Sequence, residues 1–107
     1  MEIRSITVQQ LKEMMDNKEE FHLIDVREQH EFDLVNLKGE LIPVSLVPGN
    51  IDKFEREGKI IVHCRSGARS ANVIYQLQQL KGIENLYNLE GGILAWAKEI
   101  DTSMPTY

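Results

Sequence analysis

The sequence predicts an α/β fold: one domain with a mainly parallel central sheet and helices on both faces. Three observations carry that expectation. Short apolar runs, "FHLIDV", "KIIVHC" and "NLYNL", alternate with stretches of helical periodicity, as βαβ units require. Their apolar residues are consecutive rather than alternating, which fits strands covered on both sides. The chain has 107 residues, 42% of them hydrophobic, enough for one modest core and not for two. A single domain spanning 1–107 is therefore expected, with its core over about 6–100 and a tail at 101–107 that has no usable pattern.

Each element has a local reason. In "TVQQLKEMM" Thr7 stands three residues before Gln10, a capping-box spacing, and Val8, Leu11 and Met14 or Met15 share one helical face. A helix over about 8–17 follows. "FHLIDV" reads as a buried strand leaving the sheet at the polar residues Asp25, Arg27 and Glu28, and "EQHEFDLV" as a short helix. "NLKGELIPVSLVPGN" holds two prolines and two glycines, so a winding connection is expected, with a short strand near Leu41 and Ile42. "IDKFEREG" reads as a helix closed by Gly58. Ile60, Ile61 and Val62 make "KIIVHC" the clearest strand. From Ser70 onward Val73, Ile74, Leu77 and Leu80 recur at helical steps and Gly82 follows the last turn. "NLYNL" is a short strand, and "GGILAWAKEI" a final helix anchored most simply by Trp96.

Composition narrows the function. Twelve basic against seventeen acidic residues, net charge −5, argues against general nucleic-acid binding. No apolar run approaches the ~20 residues of a membrane helix, and the start lacks a secretion-signal pattern. The expected compartment is the cytoplasm, with no membrane or nucleic-acid partner. His22 and His30 lie far apart with no ligand spacing, so no metal site is expected, and no cofactor is expected either. Glu19, Glu20, Glu55 and Glu57 read as solvated charges.

Cys64 is the only cysteine, so no internal disulfide can form. Taken alone, a cysteine after a strand is most simply a small buried hydrophobe. Its surroundings favour chemistry instead. Cys64 ends a strand, and Arg65, Ser66, Gly67, Ala68, Arg69 and Ser70 lead directly into a helix. In open α/β sheets that edge is where ligands bind. Backbone N–H groups at the helix start, two guanidinium groups and a glycine suit an anion, and they depress a thiol pKa. His63 should point away from the thiol, because adjacent strand residues face opposite ways. Asp25 and Arg27 follow another strand end, where a supporting ion pair beneath the loop is the simpler role.

"HCRSGARSA" resembles the active-site loop of rhodanese-like sulfurtransferases. "LIDVRE" is similar to that family's Asp-Val-Arg signature, and "LEGGILAWAKE" to its Gly-Gly-x-x-x-Trp closing segment. The resemblance runs from about Ile6 to Ile100. It implies that Cys64 carries a persulfide and that the loop from Arg65 to Ser70 binds the sulfur donor. It also implies an enzyme of the thiosulfate sulfurtransferase type with ping-pong kinetics. The partners implied are thiosulfate or another persulfide donor and a thiol or cyanide acceptor, with a sulfur-relay protein as a further partner. Where many rhodaneses carry Gly-His-Ile-Pro-Gly-Ala, the segment 33–46 departs, beginning "DLVNLKGELIPVS". That variant is similar to rhodanese domains fused to ubiquitin-activating-type proteins of thiolation pathways.

Two alternatives stand beside this. Cysteine-dependent phosphatases of similar fold use C-x5-R, whereas Arg69 gives C-x4-R and the next residue is Ser70; the shorter loop suits a sulfane sulfur better than a phosphate. A non-catalytic binding or regulatory module is the other alternative, but it has no need of Cys64, Gly67 and both arginines together.

Overall fold

The run Ile60–His63, which forms β4, lies in the middle of a five-stranded sheet. The computed structural model describes residues 2–107 and adds β1 (Ser5–Ile6), β2 (His22–Asp25), β3 (Glu40–Leu41) and β5 (Leu86–Leu89). Their order is β1-β5-β4-β2-β3, and every pairing is parallel. All four residues of β4 are buried. Ile60 and Val62 pack on one side with Val73, Ile74 and Leu77 of α3 (Ala68–Lys81) and with Phe54. Ile61 packs on the other with Val8, Leu11 and Met14 of α1 (Val8–Asp16) and Trp96 of α4 (Gly92–Glu99). Covering both faces explains why the strand is apolar at consecutive positions.

Most of the expected elements form where the pattern places them. The box at α1 is complete: Thr7 Oγ1 accepts from Gln10 N at 3.1 Å, and Gln10 Oε1 accepts from Thr7 N at 2.8 Å. The short helix α2 covers Gln29–Leu34. Helix α3 starts at Ala68, two residues before the expected position.

The stretch after β3 differs more. Residues Val44–Phe54, expected as a winding connection and a separate helix, form 3-10 turns that run across a kink at Asn50. Pro48 lies inside and supplies no N–H, so tight short turns replace an α-helix. This helical stretch stops at Phe54, so Gly58 is not its cap; it sits in a turn whose carbonyls at Arg56 and Gly58 accept from Asn85 Nδ2 at 2.8 and 2.5 Å. The two-residue β1 was not foreseen, since two residues carry no period.

Parallel pairing sets up the site. The β2–β4 register ends at Asp25 opposite His63, which brings Cys64 and the Val26–Glu28 turn to the same carboxyl edge of the sheet.

Candidate active site

Cys64 leaves β4 at that edge, and its free thiol is 1% exposed. The chain must reverse within three residues to enter α3, and Gly67 allows this with φ +103°, a region costly to residues with a Cβ. The turn aims Gly67 N–H at the sulfur, 3.1 Å from Sγ, and one helical turn on Ser70 Oγ lies 3.5 Å from Sγ. The loop carbonyls point the other way. Cys64 O accepts from Ile93 N at 3.0 Å and Arg65 O from Leu94 N at 3.1 Å, so the free N–H groups at the start of α4 are satisfied by the loop. Gly92 makes the approach possible: a Cβ there would lie 2.5 Å from Arg65 O and 2.6 Å from Cys64 O.

Burial pushes the Cys64 thiol up. Hydrogen bonds from the Ser70 hydroxyl and from the N–H groups of Ser70, Gly67 and Ser66 outweigh it and hold the thiol below its ordinary pKa. The thiolate is the nucleophilic form of cysteine.

Both arginines of the loop carry protein partners. Arg69 forms a two-pronged pair with Glu31 of α2, Nη1 to Oε1 at 2.7 Å and Nη2 to Oε2 at 2.9 Å. Arg69, against the cost of burial and with help from Tyr107 and the Glu28 N–H, holds the Glu31 carboxyl well below the usual carboxylate range. Arg65 lies under the tail: its guanidinium is 5.0 Å from the Tyr107 ring centre and its Nη2 donates to the Tyr107 carbonyl. It has no Asp or Glu partner among the described residues. Ser66 and Ala68 are exposed on the loop.

Asp25 and Arg27 do not touch the sulfur. Both are fully buried, with Arg27 Nη2 to Asp25 Oδ2 at 2.7 Å and Nε to Oδ1 at 2.9 Å. Arg27 also donates to Glu31 O, Val35 O and Tyr107 Oη. His63 faces Asp25 across the strands, Nε2 to Oδ2 3.7 Å, on the side of the sheet opposite Cys64.

Three residues at the site were not singled out from the sequence. Glu31 closes a capping box by accepting from Glu28 N at 3.0 Å, so the Glu-x-x-Glu spacing was available as a signal. Asn88 gave another signal, a polar side chain inside an apolar strand. Tyr107 gave none.

Two groups tie stability to acid. Burial lowers the His63 pKa, with Arg27 adding to that and Asp25 and the Cys64 carbonyl opposing it. A native pKa below the unfolded value of about 6.5 means that this contribution is complete above that pH and is lost as pH falls toward the native value. Glu31 behaves alike one step lower: its contribution is complete above its unfolded value of about 4.3 and is lost as pH falls below it. The urea midpoint is expected to fall from pH 7 to 5 in the native chain and to change less in His63→Gln. Equal slopes in the two would rule out His63 as the cause.

Known proteins resemble this chain in sequence and in fold. The model of the Rhodanese-like domain matches residues 7–99. A putative sulfurtransferase of Bacillus subtilis, YtwF, is 34% identical over 92% of this chain and 95% of its own. The rhodanese-like domain protein of Staphylococcus aureus superposes with a TM-score of 0.80 at 31% identity, covering 92% of this chain and 95% of that one. The probable adenylyltransferase/sulfurtransferase MoeZ of Mycobacterium tuberculosis is 33% identical over 96% of this chain, which spans only 27% of that protein's length. With the match covering almost the whole fold and the loop around Cys64, the chain belongs to the rhodanese-like domain family.

Proposed function

We propose that the protein is a sulfurtransferase whose nucleophile is Cys64. The observation that carries this is the convergence of Gly67 N–H and Ser70 Oγ on one buried sulfur at the carboxyl edge of the sheet. Relatives named as sulfurtransferases support the reaction class. With thiosulfate, the Cys64 thiolate attacks the outer sulfur, the S–S bond breaks, and sulfite leaves with the bonding pair. A Cys64 persulfide remains. Cyanide or a thiol then attacks its outer sulfur, and the Cys64 thiolate is released. The N–H groups and the hydroxyl that lower the thiol pKa favour the thiolate, both as the attacking nucleophile and as the group released when the persulfide gives up its outer sulfur.

The charges bear on the donor. Arg69 is already matched by Glu31, which leaves Arg65 and the loop N–H groups to meet the donor's charge. This supports a singly charged persulfide as donor at least as well as thiosulfate. A sulfur-relay protein as partner draws support from relatives that join sulfurtransferase and adenylyltransferase in one name.

Intact-protein mass tests the proposal. After incubation with thiosulfate or a small-thiol persulfide, the native chain is expected to gain one sulfur atom and to lose it on addition of cyanide. Cys64→Ser should gain none. An adduct in that variant, or none in a native chain whose thiol still alkylates, would overturn the proposal.

A further inference from the structure

Asparagine is a poor strand residue, yet Asn88 sits inside β5, between Tyr87 and the buried Leu89. Strand alternation puts it on the same side as Leu86, which packs with the α3 residues Val73, Ile74 and Leu77. Both ends of its amide are used at the site: Oδ1 accepts from Ser70 Oγ at 2.5 Å, and Nδ2 donates to Gly67 O at 3.1 Å. The Gly67 carbonyl fixes the orientation, because turning the amide over would set two acceptors against each other. Ser70 must then be the donor to Asn88. A hydroxyl has one proton, and Ser70 Oγ has a second acceptor in Cys64 Sγ at 3.5 Å.

We propose that Asn88 is a positioning residue for sulfur transfer, acting on the Cys64 sulfur through Gly67 and Ser70. It anchors Gly67, whose N–H meets the sulfur, and it holds the Ser70 hydroxyl beside the sulfur with its proton parked on Oδ1. While Cys64 is a thiol, that proton stays on Asn88. When the sulfur becomes a thiolate, one rotation of the hydroxyl carries the proton from Oδ1 to Sγ, and the Oγ–Oδ1 hydrogen bond is given up. The site thus keeps a donor in reserve that needs no movement of the backbone.

This rests on Cys64 being the reacting group, so the test reads the thiol without a sulfur donor. The rate of alkylation by iodoacetamide is followed against pH in the full chain. Asn88→Ala removes the anchor on Gly67, worth about one hydrogen bond to a charged group, and frees the Ser70 proton, which offsets part of that; the midpoint is expected to rise by up to about one pH unit. Asn88→Asp keeps the shape, binds the Ser70 proton more firmly, turns an acceptor toward Gly67 O and adds a negative charge. Its midpoint should rise further. Arg69, whose charge reaches Cys64, its partner Glu31, and Arg65 are the same in every variant. Tyr107 and Arg27, which join Glu31, are likewise unchanged, and Asp25 and His63 face the other side of the sheet.

In a Ser70→Ala background the effect of Asn88→Ala should grow, because no freed Ser70 proton then offsets the lost Gly67 anchor. A midpoint that stays or falls in whichever of the two Asn88 variants folds would overturn the proposal, and so would an effect of equal size with and without Ser70. A native chain that alkylates with the expected midpoint but takes up no sulfur would refute the sulfurtransferase reading alone.

Discussion

Gly92→Ala is expected to cripple sulfur transfer by about 10²-fold, the penalty that a misplacement of about 1 Å can carry, although residue 92 never meets the sulfur. The added methyl would sit 2.5 Å from Arg65 O and 2.6 Å from Cys64 O, and φ is +59°. Neither neighbour is a flexible side-chain end. Both are backbone carbonyls already bonded to Ile93 N and Leu94 N, so the loop must move or those bonds must open. Either response turns the N–H groups away from Cys64. The strained conformation adds about 1–3 kcal/mol of lost stability. Gly49→Ala is the control, since nothing lies within 4 Å of a Cβ there and its φ is not in the left-handed range; stability should stay within about 0.5 kcal/mol. Sulfur loading of Gly92→Ala at the native rate would show that α4 does not hold the loop.

The largest loss of stability is expected from Arg27→Met, about 3–5 kcal/mol, because removing one partner leaves Asp25 buried and uncompensated. Arg27 is 0% exposed, and its guanidinium joins Asp25, the carbonyls of Glu31 and Val35, and the Tyr107 hydroxyl. One side chain therefore ties β2, both ends of α2 and the tail together. Urea unfolding of Arg27→Met, Asp25→Leu and the double variant measures this. The double variant should recover much of the loss, since no lone charge remains. A midpoint for Arg27→Met equal to the native one would mean that water reaches Asp25.

These two residues also mark what local pattern can and cannot tell. Ile60–Val62, the helical spacing of Val73, Ile74 and Leu77, and the Thr7 box are read within one or two turns of chain, and that range suffices for β4, α3 and α1. The position of Cys64 at a strand-to-helix turn follows from the same short range. The partners of the loop do not. Glu31 lies 38 residues before Arg69, Asn88 lies 18 residues after Ser70, and Tyr107 lies 80 residues after Arg27. What joins them is strand order: β5 lies beside β4 while β3 does not, and no periodicity records that choice. The 3-10 run through Pro48 was illegible for another reason. Tight turns of this kind leave no apolar stripe, so their residues look like a connection.

The supports of the sulfur also have an order in time. Chains are made from the N-terminus at roughly 5–20 residues per second, and Cys64, Gly67 and Ser70 emerge before Asn88 and before the Ile93 and Leu94 N–H groups that hold the loop. Strand β5 is also the one that joins β1 to the rest of the sheet, so a chain stopped at residue 85 leaves β1 unpaired and α1 without Leu89 and Trp96 to pack on. The thiol is thus synthesised well ahead of the surroundings that activate it. On a ribosome it passes through a stage as an ordinary cysteine, and its activation marks the moment when the last quarter of the chain has folded into place.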